Sequence, residues 1–382
     1  MTPARRPLLA LQAVFALNAL GLAVWFPRIP DVKDALGLDL LTLALCLFGL
    51  PAGTMLGFLG VGLVTRRVGL KVTAIWGGAG FLLSFIGPAL APNALALGLT
   101  LFLCGLTIAS IEVAMNAKAS QMERALGRRV MTRCHAFWSF GTVAGALIGG
   151  AFAEAGVSFL TQQAIVQPAF AALTIVFGRM LLADEARPGT EAAGRGGFGP
   201  PSRALLLLCL VPLGALLIEG AMMEWSALLM REHRGASPFV TAAAFSAFAL
   251  AMALTRLAGD RLAELFGPRP VILASGALMG VAIAGFALAP TVALALPLAA
   301  LAGAGCANVY PLAMSMVAPL PGRPPEANVA TLALTAFTAF LIGPPFIGIA
   351  ASAFGLPVAL ALLAPLGLVP ALLLRPGAPG LR

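Results

Sequence analysis

The chain has 382 residues, 60% of them hydrophobic and only 10% charged, and its 24 Lys and Arg against 15 Asp and Glu give a net charge of +9. A water-soluble domain carries about 25% charged residues, so that class is excluded. The five cysteines form no C-x-x-C pair and indicate neither a disulfide framework nor a metal site.

A bilayer core of about 30 Å calls for roughly 20 apolar residues per helix. Twelve such stretches follow one another, at 8–27, 40–63, 72–91, 94–116, 134–156, 163–182, 203–225, 239–258, 270–289, 292–317, 328–351 and 357–374. They are continuously apolar rather than alternating, which predicts helices and not barrel strands. The first follows Arg5 and Arg6, but it is too long for a signal-peptide core and runs into Trp25-Phe26-Pro27-Arg28 without a cleavage site. With a cytoplasmic N-terminus, only Arg28, Lys33, Arg231 and Arg234 of the 24 basic residues face outward. This is the positive-inside asymmetry, so the basic charge reports topology, with both termini cytoplasmic, and not a nucleic-acid partner.

The polar stretch 183–202 separates the sixth and seventh spans and reads as a cytoplasmic linker between two six-helix bundles, 1–182 and 203–382. Landmarks recur between them at offsets of 198 or 200: Trp25 and Trp225, Gly37 and Gly235, Gly69 and Gly267, Gly105 and Gly305, Gly145 and Gly343.

In the loop after the second span, Gly62-Leu63-Val64-Thr65-Arg66-Arg67-Val68-Gly69-Leu70-Lys71 resembles the cytoplasmic signature G-x-L-A-D-R-x-G-R-K of major facilitators. Arg66 stands where that signature has an Asp. The matching loop of the second half, from Arg256 to Gly267, carries Asp260, Arg261 and Glu264. The resemblance implies an all-α membrane fold of twelve helices in two pseudo-symmetric bundles, with a solute site near the midplane, and a latch role for Arg66, Arg67, Asp260, Arg261 and Glu264. The alternative for these charges is plain positive-inside bias.

The fourth span holds Glu112 and Asn116, four residues apart and so on one helix face. An ionisable group inside an apolar span costs a few kcal/mol, about 2.5–3.5 for an Asp at the helix centre, which makes Glu112 a functional candidate or else a structural pair. This stretch, continued by Met131-Thr132-Arg133-Cys134-His135-Ala136-Phe137-Trp138-Ser139-Phe140-Gly141, is similar to the fucose permease type of sugar–proton symporter. The whole chain more closely resembles the YbjJ-like branch of bacterial major facilitators. That likeness is carried by Trp25 to Lys33, which includes Arg28, by Asn116 to Glu123, by His135 to Gly145, by Glu219 to Ser226 and by Gly343 to Gly348. It implies a multi-pass protein of the bacterial inner membrane and names no substrate.

The fucose permease pattern has an Asp before a Pro in its first helix, where this chain has Ala23 before Pro27, so Glu219 of the seventh span is the replacement proton carrier to consider. Asn18 and Trp25 share a helix face and offer an amide and a ring to a hydroxylated solute; Trp25 is alternatively an interfacial anchor. Asn308 is a further polar candidate. His135 is either a proton shuttle or a hydrogen-bonded structural residue, and joins Arg28 as a gating candidate. Gly141-x-x-x-Gly145-Ala146-x-x-Gly149-Gly150 approaches an antiporter motif, although small-x-x-x-small is common wherever membrane helices touch.

No phosphate loop, metal-ligand cluster or catalytic triad is visible, so neither an enzyme nor a cofactor is expected. The resemblance implies a secondary transporter of a small polar, sugar-like solute, with a proton as possible co-substrate and the lipid bilayer as its surroundings. A drug or metabolite efflux antiporter, a transporter-shaped sensor and a membrane-embedded enzyme are the alternatives.

Overall fold

A computed structural model describes residues 5–184 and 200–374, the side chain of Glu326 excepted. Most of the expected linker, residues 185–199, lies outside the described residues. Among the described residues, twelve helices are long and apolar enough to cross a membrane: α1 Arg5–Leu36, α2 Leu40–Val68, α3 Leu70–Leu90, α4 Ala94–Leu126, α5 Met131–Glu154, α6 Phe159–Arg179, α7 Arg203–Arg234, α8 Pro238–Leu257, α9 Pro268–Leu288, α10 Val292–Val317, α11 Ala327–Phe354 and α12 Leu356–Leu373.

Several run past the apolar stretches that announce them. α4 continues from 116 to Leu126 through Ala, Lys, Gln, Met, Glu and Arg, all good helix formers. α1 turns at Phe26–Arg28 and resumes to Leu36, with Pro27 and Pro30 in the first turns of the two new segments, where a missing N–H costs nothing.

The chain forms two compact units, Met1–Ala186 with Met230–Ser246, and Arg187–Leu229 with Ala247–Arg382. In the first, glycines bring helix backbones together. A Cβ at Gly145 or Gly149 of α5 would lie 2.5 or 2.6 Å from the carbonyl oxygen of Leu20 or Val24 on α1, and one at Gly141 would overlap Ala16 O. The run that resembles an antiporter motif is therefore the seat of α1.

The two halves share internal geometry. Gly37 and Gly235 both adopt left-handed backbone, with φ of 61° and 59°, and Gly69 and Gly267 have φ of 89° and 82°. Only glycine takes these angles cheaply. Gly105 of α4 abuts the α2 backbone at Leu50, and the residue that abuts α8 in the same way, at Phe248, is Gly303. The counterpart of Gly105 is thus Gly303 and not Gly305, which faces Met279 of α9.

Candidate functional site

The helical continuity of α4 brings Glu112 and Asn116 together as expected of an i, i+4 pair. Asn116 Nδ2 donates to the Glu112 carbonyl at 2.9 Å and to its Oε1 at 3.2 Å. α5 begins at Met131 and delivers His135 one turn later, with Nε2 at 3.1 Å from Asn116 Oδ1. The imidazole stands edge-on to Phe15 of α1, ring centres 5.5 Å apart. A carboxyl, an amide and an imidazole therefore form one hydrogen-bonded row across two spans. Glu112 and Asn116 are half-buried and His135 is exposed, so the row runs from inside the bundle to an accessible end. Such a row can hold a proton at either end and present a donor and an acceptor to a hydroxyl group.

Other candidates of the first unit lie deeper. Asn18 is fully buried, donates from Nδ2 to Val14 O at 2.8 Å, and leaves its Oδ1 without a partner among the described residues. Trp25 is 1% exposed and packs on Phe159 of α6 at 5.5 Å, inside the bundle and not in a belt facing lipid. Arg28 is buried too, bonded to Asp31 at 2.5 Å, Gln162 Oε1 at 2.6 Å and Val157 O at 2.9 Å, and lies over the Phe159 ring. It ties α1 to α6 and to the turn before α6.

In the second unit Glu219 is half-buried on α7. Asn308 is 2% exposed and donates to Thr255 O of α8 at 3.4 Å, so it is engaged within the bundle. Asp260, Arg261 and Glu264 are exposed on the short helix Gly259–Phe266.

Arg66 and Arg67 are exposed at the end of α2, and Arg66 Nε donates to Gly62 O at 3.0 Å. The acid that the signature has at position 66 reaches this loop from elsewhere. Asp184, just beyond α6, accepts from the Lys71 amide at 3.0 Å and pairs at 2.5 Å with Lys118, whose side chain is 2% exposed. Lys118 also donates to Gln121 Oε1 at 2.7 Å and Leu182 O at 2.9 Å, while Lys71 Nζ donates to Arg179 O and Leu181 O at 2.9 and 2.6 Å. This knot escaped the sequence reading because Lys118 counted only as one more inside charge; its place on α4, two residues after Asn116, was the available signal.

A second group of charges gathers where α1 ends. Arg231 pairs with Asp31 through Nη1 and with Asp34 through Nη2 at 3.1 Å, and Lys33 reaches Glu232 at 2.8 Å. Nearby in the same unit, Glu154 Oε2 accepts from the Phe239 amide at 2.9 Å, and Phe26 meets Phe245 edge-on at 5.4 Å.

Twelve helices long and apolar enough to cross a membrane among the described residues, with a polar row on α4 and α5, are the fold of a multi-pass membrane protein. An uncharacterised transporter, y4wD, of Sinorhizobium fredii is 32% identical over 91% of this chain and 92% of its own length. A membrane protein, MosC, of Rhizobium meliloti is 27% identical over 94% and 87%. The sequence profile of the Major Facilitator Superfamily matches residues 210–381. Among solved structures, the nucleoside transporter NupG superimposes with a TM-score of 0.76 at 14% identity, over 98% of this chain and 100% of that one. The chain belongs to the Major Facilitator Superfamily, and it is a transporter and not an enzyme.

Proposed function

We propose that the chain is a secondary active transporter of a small polar organic solute, sugar-like in its hydroxyl groups and coupled to protons, working by alternating access between its bundles 1–182 and 203–382. It belongs, in this reading, to the YbjJ-like branch, lies in the bacterial inner membrane and keeps both termini in the cytoplasm. The row Glu112–Asn116–His135 carries the proposal. A carboxyl inside an apolar span is retained at a cost, and here it is bonded to the Asn116 amide, which in turn meets the titratable His135, so the row can receive either a proton or a hydroxyl.

Efflux of lipophilic compounds draws less support, because the glycines that resemble an antiporter motif are occupied by α1. The test is a panel of compounds read by thermal stabilisation of the purified protein. A true solute at 100 times its Kd stabilises by about 2.7 kcal/mol through mass action. Sugars or other polyhydroxylated compounds raising Tm support the proposal; a response to lipophilic cations alone replaces it with efflux.

A further inference from the structure

α1 changes its hydrogen bonding where it bends. The Trp25 amide bonds to Leu22 O at 3.2 Å and the Arg28 amide to Trp25 O at 2.9 Å, three residues back rather than four. The tightened turn leads into the short 3-10 segment Phe26–Arg28, where Pro27 has no N–H with which to restore the α-helical pattern. In an α-helix those two amides would meet Gly21 O and Val24 O. The bend therefore releases both carbonyls, and both belong to buried residues, out of reach of bulk water.

α6 supplies the donors. Gln167 Nε2 donates to Gly21 O at 2.9 Å and Gln162 Nε2 to Val24 O at 3.0 Å, and both glutamines are 0% exposed. Each amide makes a second bond: Gln167 Nε2 to Gln163 Oε1 at 2.8 Å, and Gln162 Oε1 as acceptor from Arg28 Nη1 at 2.6 Å. Gly21 permits the first contact, since a Cβ there would lie 2.9 Å from Gln167 Oε1 and overlap Leu82 Cδ2 of α3. The second half shows the converse. At the offset of 200, Gly21, Val24 and Pro27 correspond to Ala221, Glu224 and Ala227, and α7 is helical without a break from Leu213 to Arg234. Gln162 and Gln167 correspond there to Leu362 and Gly367, so the half that keeps this helix regular has no side-chain amide at either position.

We propose that Gln162 and Gln167 are positioning residues through which α6 sets the bend of α1. They take the two carbonyls that the bend releases, and Gln162 also gives the Arg28 guanidinium an acceptor on the far side of it. The segment that carries Trp25, Arg28 and Asp31 is thus placed by α6 and not by the α1 backbone alone. The inference is independent of which solute is carried.

The experiment measures the bend directly, by pulsed electron resonance between spin labels at Leu9 and Ala35, exposed residues on either side of it, in the purified full chain with its five buried cysteines replaced by Ala. Gln162→Met combined with Gln167→Met at least doubles the width of the distance distribution. Thr174→Val, on an equally buried residue of α6 with no bond to an α1 carbonyl, leaves the width as in the parent. A parent-like distribution in the folded double variant overturns the proposal, and so does an equal broadening by Thr174→Val. Gln162→Glu separates the bend from the grip on Arg28, because a carboxylate keeps an acceptor for the guanidinium but has no N–H for Val24 O. It broadens the distribution as Gln162→Met does; a parent-like width means that Arg28 alone is held and overturns the role of Gln162 in the bend. Should the double variant fail to give a cooperative melt, the two single Met variants carry the first arm.

Discussion

Asp31 and Arg231 stand 200 residues apart in the chain and form an ion pair in which the same carboxylate also binds the buried Arg28 at 2.5 Å. One acid therefore neutralises a cation inside the bundle and recruits another from the end of α7. Its neighbour Asp34 reaches Arg231 and, at 4.0 Å, Lys33, from a side chain that is 53% exposed.

These two acids predict unequal losses. Asp34→Ala should cost less than about 1 kcal/mol, as exposed pairs do, and the cost should shrink further in high salt. Asp31→Ala leaves Arg28 buried with one partner fewer and should cost about 2 kcal/mol, less sensitive to salt. Thermal unfolding at low and high ionic strength separates the two.

Lys118 and Asp184 predict a rescue. Asp184→Asn strips the carboxylate from a nearly buried ammonium and should destabilise by about 3 kcal/mol. Adding Lys118→Met removes the stranded charge and should return most of that loss, measured by denaturation in detergent. Losses that simply add would mean that the pair carries no mutual stabilisation.

The row on α4 and α5 predicts a split between two substitutions, read on binding of whichever compound stabilises the parent. Glu112→Gln keeps shape and hydrogen bonding but removes the ionisable proton, so binding should lose its dependence on pH. Asn116→Ala severs the contacts to both Glu112 and His135 and should weaken binding at every pH, by about 1–3 kcal/mol if partners are left unpaired. Parent-like binding by both variants would make the row structural.

Glycines offer a prediction of opposite signs. Gly145→Ala places a methyl 2.5 Å from Leu20 O and should destabilise by about 1–3 kcal/mol or more, since the obstacle is backbone. Gly62→Ala, on an exposed face of α2 with no atom within 4 Å of the new Cβ, should stabilise by up to about 1 kcal/mol through helix propensity. Paired melting curves test both signs.

The number of spans was legible in the sequence because each crossing must satisfy its backbone internally and face lipid, which leaves a long apolar run. Helix ends were less so, since helices such as α4 and α7 continue through polar residues once hydrophobicity has stopped marking them. The pairing of Glu112 with Asn116 followed from helical spacing alone. Its extension to His135, and the joining of Lys118 to Asp184, depend on how separate helices abut, and no periodicity encodes that. The missing acid at Arg66 was visible as a departure, but the residue that supplies it lies 118 positions later, at Asp184, where only the fold connects the two.

Along α1 and α5 the main chains approach so closely at Gly141, Gly145 and Gly149 that neither helix can slide or roll without the other. The pair constitutes a fixed ruler inside the first unit. Spin or fluorescent labels placed on one member and referred to the other would report a constant separation in every state, and any change measured from that ruler to a third helix can be assigned to the third helix alone.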